Sequence, residues 1–97
     1  MKISEFQEII KNLYIKKDKS RGIKSTFIWL VEEIGELAEI LKHTEIDKNK
    51  ASEELADIIA WTCSLANMLE IDVESCLISK YPNMCIKCKS NPCICKK

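Results

Sequence analysis

The chain has 97 residues, 46% of them hydrophobic and 31% charged, with two Gly, two Pro, six Cys, and 15 basic residues against 15 acidic ones. That describes one small domain, and folding at this length hides only about 60 to 68% of the unfolded surface, so a partner chain or a metal is expected to support the core. No apolar run approaches the ~20 residues of a membrane span and MKISEFQEII does not read as a signal peptide, which leaves a soluble, cytoplasmic protein as the expectation.

The periodicity is helical almost throughout, with no alternation long enough for a strand. Ser4 with Gln7 three residues on reads as a capping box, and Phe6, Ile9, Ile10 and Leu13 place an apolar stripe on a first helix ending near Ile15. The run KKDKSRG, with Gly22, reads as a loop. From about Ser25 to His43, Phe27, Leu30, Val31, Ile34, Leu37, Ala38 and Leu41 follow three-and-four spacing on a second helix. Asp47 is the expected N-cap of a third helix reaching about Leu69, with Ala51, Leu55, Ile58, Thr62, Leu65 and Leu69 as its buried stripe. Asp72 caps a short fourth helix that stops before Pro82. YPNMCIKCKSNPCICKK then has no periodicity. The expected fold is all-α, a small bundle of about four helices over residues 1–81, completed by oligomerisation and followed by a cysteine-rich tail over 82–97.

The zero net charge hides a polarised chain. Residues 1–24 carry seven basic and three acidic residues, 25–57 three and nine, 58–79 three acids alone, and 80–97 five Lys alone. An acidic middle between basic ends suits a site that holds a cation with an anionic ligand, solvated helix faces being the plainer reading. The acids are also paired: Glu33 and Glu36 on the second helix and Glu54 and Asp57 on the third each stand three apart, on one helical face. Trp29 and Ile40 flank the first pair and Trp61 and Met68 follow the second, with no basic residue between 25 and 41. If the helices pack antiparallel, four carboxylates gather, and in a partly apolar setting they repel and raise one another's pKa. A divalent cation removes that conflict. Oxygen-only ligands point to Mg²⁺ or Mn²⁺, which keep positions for water and phosphate oxygens, so a nucleotide is the substrate class inferred.

At these residues the chain resembles the MazG-like nucleotide pyrophosphohydrolases of the all-α NTP pyrophosphatase superfamily. The motif EExxE is Glu32, Glu33 and Glu36, followed after 17 residues by ExxD at Glu54 and Asp57, within WLVEEIGELAEIL and EELADIIAW. The resemblance covers roughly residues 5–81. It implies Mg²⁺-dependent cleavage of a nucleoside triphosphate between the α and β phosphates, giving a nucleoside monophosphate and pyrophosphate, by a homodimer or homotetramer. It makes Glu33, Glu36, Glu54 and Asp57 the expected metal ligands, with Glu32 a general base or a support to them. Lys80 and Tyr81 fall where family members present a basic residue to the phosphates. Trp29 and Trp61 either stack on the base or pack the bundle. Arg21 and Lys24 are phosphate-contact candidates from the basic N-terminal segment.

Cys63 and Cys76 lie in helical segments and read as small core residues. Cys85, Cys88, Cys93 and Cys95 form C-x2-C-x4-C-x-C, which suits a tetrahedral structural Zn²⁺, an iron–sulfur cluster being the alternative. The competing function is non-catalytic: a helical dimer whose zinc-knuckle tail binds nucleic acid or a protein partner.

Overall fold

The computed structural model describes residues 1–96; Lys97, the last residue of the expected tail, lies outside the described residues. Four helices follow one another, α1 (Ile3–Arg21), α2 (Ile23–Leu41), α3 (Lys48–Met68) and α4 (Val73–Lys80), with no strand among the described residues. α3 is the centre of the bundle: α2 packs along it most extensively, α1 nearly as much, and α1 also meets α2 and α4. No helix among the described residues is long and apolar enough to cross a membrane.

α1 departs from expectation at both ends. Its first turn is closed by Glu5, whose Oε1 accepts from the backbone N–H of Lys2 at 2.9 Å, rather than by a Ser4–Gln7 box. Gln7 is instead buried and ties three segments together. Its Nε2 donates to Asn67 Oδ1 (3.0 Å) and to the Ile71 carbonyl (2.8 Å), and its Oε1 accepts from the Val73 N–H (2.9 Å). At the other end the expected loop is helical as far as Arg21. Lys and Arg are good helix formers, and Asp18 pairs with Arg21 one turn on, so nothing breaks the helix before Gly22. Gly22 has φ 90° and ψ 164°, a region essentially reserved for glycine. Its N–H closes α1 on the Asp18 carbonyl (2.8 Å) and its own carbonyl opens α2 by accepting from Thr26 N–H (3.1 Å).

The other boundaries agree closely with the sequence. Asp47 Oδ1 caps α3 by accepting from the Lys50 N–H at 3.2 Å. α4 starts after Asp72, whose carboxylate takes the Ser75 hydroxyl (2.7 Å), and stops before Pro82.

The buried faces differ from the expected stripes. On α2, Thr26 and Leu30 are buried and Glu33, Leu37 and Ile40 half-buried, whereas Phe27 (54% exposed), Val31, Ile34 (48%), Ala38 and Leu41 face outward. On α3, Cys63, Ser64 and Ala66 are buried and Leu55, Thr62 and Leu69 exposed, while Ala51, Ile58 and Leu65 are half-buried. On α1 only Ile10 of the expected stripe is fully buried; Phe6 is half-buried, and Ile9 and Leu13 are exposed. The physical reason lies in helices that are apolar on more than one side. Their hydrogen-bonding partners then decide which side turns inward. Cys63 is a core residue, 1% exposed, but Cys76 is exposed on α4. All six cysteines are free thiols.

Candidate functional site

Trp29 of α2 meets Trp61 of α3, and further along α2 the carboxyls of Glu33 and Glu36 meet that of Glu54, nearer the start of α3. Contacts that run forward on one helix and backward on the other fix the two as antiparallel, joined by the six residues 42–47. Carboxylate oxygens of Glu33, Glu36 and Glu54 lie within 4.8 Å of one another. Glu33 Oε2 and Glu54 Oε2 are both buried without a hydrogen-bond partner.

This crowding perturbs titration. Glu36 is raised above the ordinary carboxyl value first by the charge of Glu54, then by carboxyl contact with it, with desolvation and the charges of Glu32 and Asp57 adding. Glu54 is raised first by carboxyl contact with Glu33, then by desolvation. Orphaned carboxylate oxygens in an all-oxygen donor set are what a hard divalent cation would satisfy, so the residues present fit such an ion.

Asp57 and Glu32 stand at the margins of this trio. Glu32 is exposed on the adjoining face of α2. Asp57, one turn beyond Glu54, adds its charge to both raised carboxyls and faces a cleft of about 280 Å³. Tyr14, Lys17, Asp18, Arg21 and Trp61 also line that cleft, between α1 and α3.

Arg21 is held firmly there. Its Nη1 donates to Asp18 Oδ1 (2.9 Å) and Thr26 Oγ1 (3.3 Å), both residues being almost wholly buried. The guanidinium also lies 5.0 Å from the Trp29 ring and 4.8 Å from the Trp61 ring, which meet edge-to-face at 5.5 Å and 75°. The two indoles thus pack against each other and against a cation. Lys24 is exposed in the first turn of α2. Lys80 and Tyr81 line a different groove, of about 630 Å³, beside the tail.

In that tail the four sulfurs of Cys85, Cys88, Cys93 and Cys95 also lie within 4.8 Å of one another. Backbone N–H groups, that of Ile94 first, hold the Cys88 thiol down to about 6. The N–H groups of Cys88 and Lys87 lower Cys85, whereas the neighbouring thiols, Cys93 foremost, push Cys95 up to about 11.

The family model for the MazG nucleotide pyrophosphohydrolase domain matches residues 21–88. The chain belongs to the MazG family. The match takes in α2, α3, α4 and both acid pairs, and reaches Cys85 and Cys88 but not Cys93 or Cys95. No curated protein matches the chain.

In this MazG domain the sequence reading of KKDKSRG as a loop hides Asp18, which lines the cleft, and Thr26 lies on α2 outside the expected apolar stripe; both accept hydrogen bonds from Arg21. The spacing Gln7, Ile10, Tyr14, Asp18, Arg21 carries a helical period straight through that run and marks Asp18.

Proposed function

We propose that this MazG domain is an Mg²⁺-dependent nucleoside triphosphate pyrophosphohydrolase. Water attacks between the α and β phosphates and the products are a nucleoside monophosphate and pyrophosphate. The observation that carries this reading is the convergence of Glu33, Glu36 and Glu54, with two of their buried oxygens left without partners. Together with Asp57 they would hold the ion, and Mn²⁺ suits the same oxygen set. Bound there, the ion would neutralise charge growing on the phosphate oxygens and acidify the attacking water.

The chain's own residues supply the rest. Glu32, exposed beside Glu36, accepts the proton of the attacking water on its carboxylate. The hydrogen bonds of Arg21 run from Nη1, which leaves its other N–H groups for a phosphate in the cleft. Trp61 gives that cleft a flat wall, backed by Trp29. Lys24, Lys80 and Tyr81 do not line the cleft and stay outside the proposed site.

The same reading includes a homodimer or homotetramer. Phe27, Val31, Ile34 and Leu41 on α2, with Leu55 and Ile59 on α3, leave exposed apolar side chains that a second copy would cover. Membership of a hydrolase family favours this activity over a helical module that binds nucleic acid through its tail.

The test is a panel of ribo- and deoxyribonucleoside triphosphates with Mg²⁺ or Mn²⁺, read as released pyrophosphate. Wild type should turn over at least one of them. Glu36→Gln and Asp57→Asn should each lose about 100-fold or more while keeping their helical circular dichroism. Absence of pyrophosphate from every nucleotide with either metal overturns the proposal.

A further inference from the structure

The second cluster of metal-ligating side chains lies in the tail, beyond α4. Four sulfurs at about 2.3 Å from one tetrahedral centre stand about 3.8 Å from each other. Cys85 Sγ and Cys95 Sγ are 3.7 Å apart, and Cys88 Sγ and Cys93 Sγ are 3.9 Å apart. Those two separations are opposite edges of one four-sulfur set, so they constrain its size in two independent directions. All four sulfurs also lie within 4.8 Å of one another, whereas a two-iron cluster, with one pair of thiolates on each iron, would hold the two pairs farther apart and a four-iron cluster would part all four.

The backbone is arranged to support thiolates at the same place. The N–H of Ile94 points to Cys88 Sγ (3.5 Å) and that of Cys95 to Cys93 Sγ (3.3 Å), dipoles that favour negative sulfur. The chain between the first two cysteines and the last two is folded back by Cys85 N–H on the Ser90 carbonyl (2.9 Å) and Lys89 N–H on the Cys85 carbonyl (2.8 Å). Lys87, Lys89 and Lys96 stand in this segment without an acidic residue, so they offset the net negative charge of four thiolates around one dication. Nothing apolar replaces the ion as a source of order: Met84, Ile86 and Ile94 are all exposed.

We propose that Cys85, Cys88, Cys93 and Cys95 form a closed tetrathiolate site for one structural Zn²⁺, and that the ion holds residues 82–96 in their fold. With four protein ligands the site has no open position for chemistry. It is separate from the carboxylates, and stands or falls independently of the nucleotide reading.

Full-length chain purified under reducing conditions without chelator should carry about one zinc per chain by elemental analysis. Metal-free chain titrated with Co²⁺ should develop intense thiolate-to-metal bands and tetrahedral ligand-field bands, saturating at about one equivalent and bleached by Zn²⁺. Cys88→Ser and Cys95→Ser should lose these bands, whereas Glu36→Gln should keep them. Trypsin should cut after Lys87 and Lys89 at least about 10-fold faster once zinc is removed, with α1–α4 still helical by circular dichroism. Iron as the resident metal, a Co²⁺ spectrum of the unaltered chain without thiolate bands, saturation unchanged in Cys88→Ser, or tail cleavage indifferent to zinc would each overturn the assignment.

Discussion

Replacing Arg21 by Met removes a cation while keeping much of the side chain's apolar stem. Asp18, whose side chain is 1% exposed, would be left with Oδ1 newly unpaired and Oδ2 already without a partner. Breaking a buried pair from one side costs about 3 to 5 kcal/mol, because the remaining charge is left uncompensated. Arg21 is itself 19% exposed at the mouth of the cleft, so the lower end of that range applies. Loss of the cation on Trp29 and Trp61 and of the donor to Thr26 acts in the same direction, though these contributions share one side chain and do not simply add. Against a total of about 5 to 15 kcal/mol for a domain, ~3 kcal/mol is a large fraction. Urea unfolding followed by circular dichroism at fixed chain concentration should show the midpoint falling by about 1 M or more, for a slope of 1 to 3 kcal/mol/M. The double variant Asp18→Leu with Arg21→Met should be more stable than Arg21→Met alone, since no charge is then stranded. A single variant within ~1 kcal/mol of wild type, or a double variant no better than the single, would refute the clamp.

Three further outcomes follow from the geometry. Glu36 and Glu54 have folded values raised above their unfolded ones, so between the two the native chain binds more protons. Metal-free stability should therefore fall as pH rises through that window and recover as pH drops, while stabilisation by Mg²⁺ should be larger at pH 7.5 than at pH 5; Glu54→Gln should flatten both effects in thermal melts. Gly22→Ala should cost about 1 to 3 kcal/mol in urea unfolding from backbone strain alone, because a Cβ there would meet no atom within 4 Å. Ile34→Glu should reduce the particle mass to that of one chain by light scattering, and an unchanged mass would remove α2's outer face from the proposed assembly.

The helices and the acid pairs were legible for different reasons. Asp47 caps α3 and Asp72 precedes α4 because short polar side chains at those offsets have a local job that no distant contact overrides. Glu33, Glu36 and Glu54 could be brought together on paper because three-residue spacing puts each pair on one face and the short connection makes the helices antiparallel. The inward face of α2 could not be found this way. Its apolar residues surround most of the helix, so the expected stripe joins Leu30 and Leu37, which turn inward, to Phe27, Val31, Ile34, Ala38 and Leu41, which do not, and spacing alone does not separate the two sets. Nor could Gln7, whose capping role in the sequence gave way to partners 60 to 66 residues distant.

Those distant partners explain why the inner seam is polar. Among the described residues Gln7, Asp18, Thr26 and Ser64 are as buried as Ile10, Leu30, Cys63 and Ala66, while 23 large apolar side chains are exposed. Apolar contacts tolerate sliding, but a hydrogen bond weakens steeply with misalignment. The register of α1 on α3 and on α2 is thus held by the Gln7–Asn67 and Asp18–Arg21–Thr26 contacts rather than by a large oily interior. Carboxylates that repel one another need such directional support to stay within ligand distance of a common point. The outer apolar area then remains for association. A substitution at the seam should accordingly disturb stability and nucleotide cleavage together, as in Arg21→Met, whereas one on the outer face, as in Ile34→Glu, should act first on the assembly.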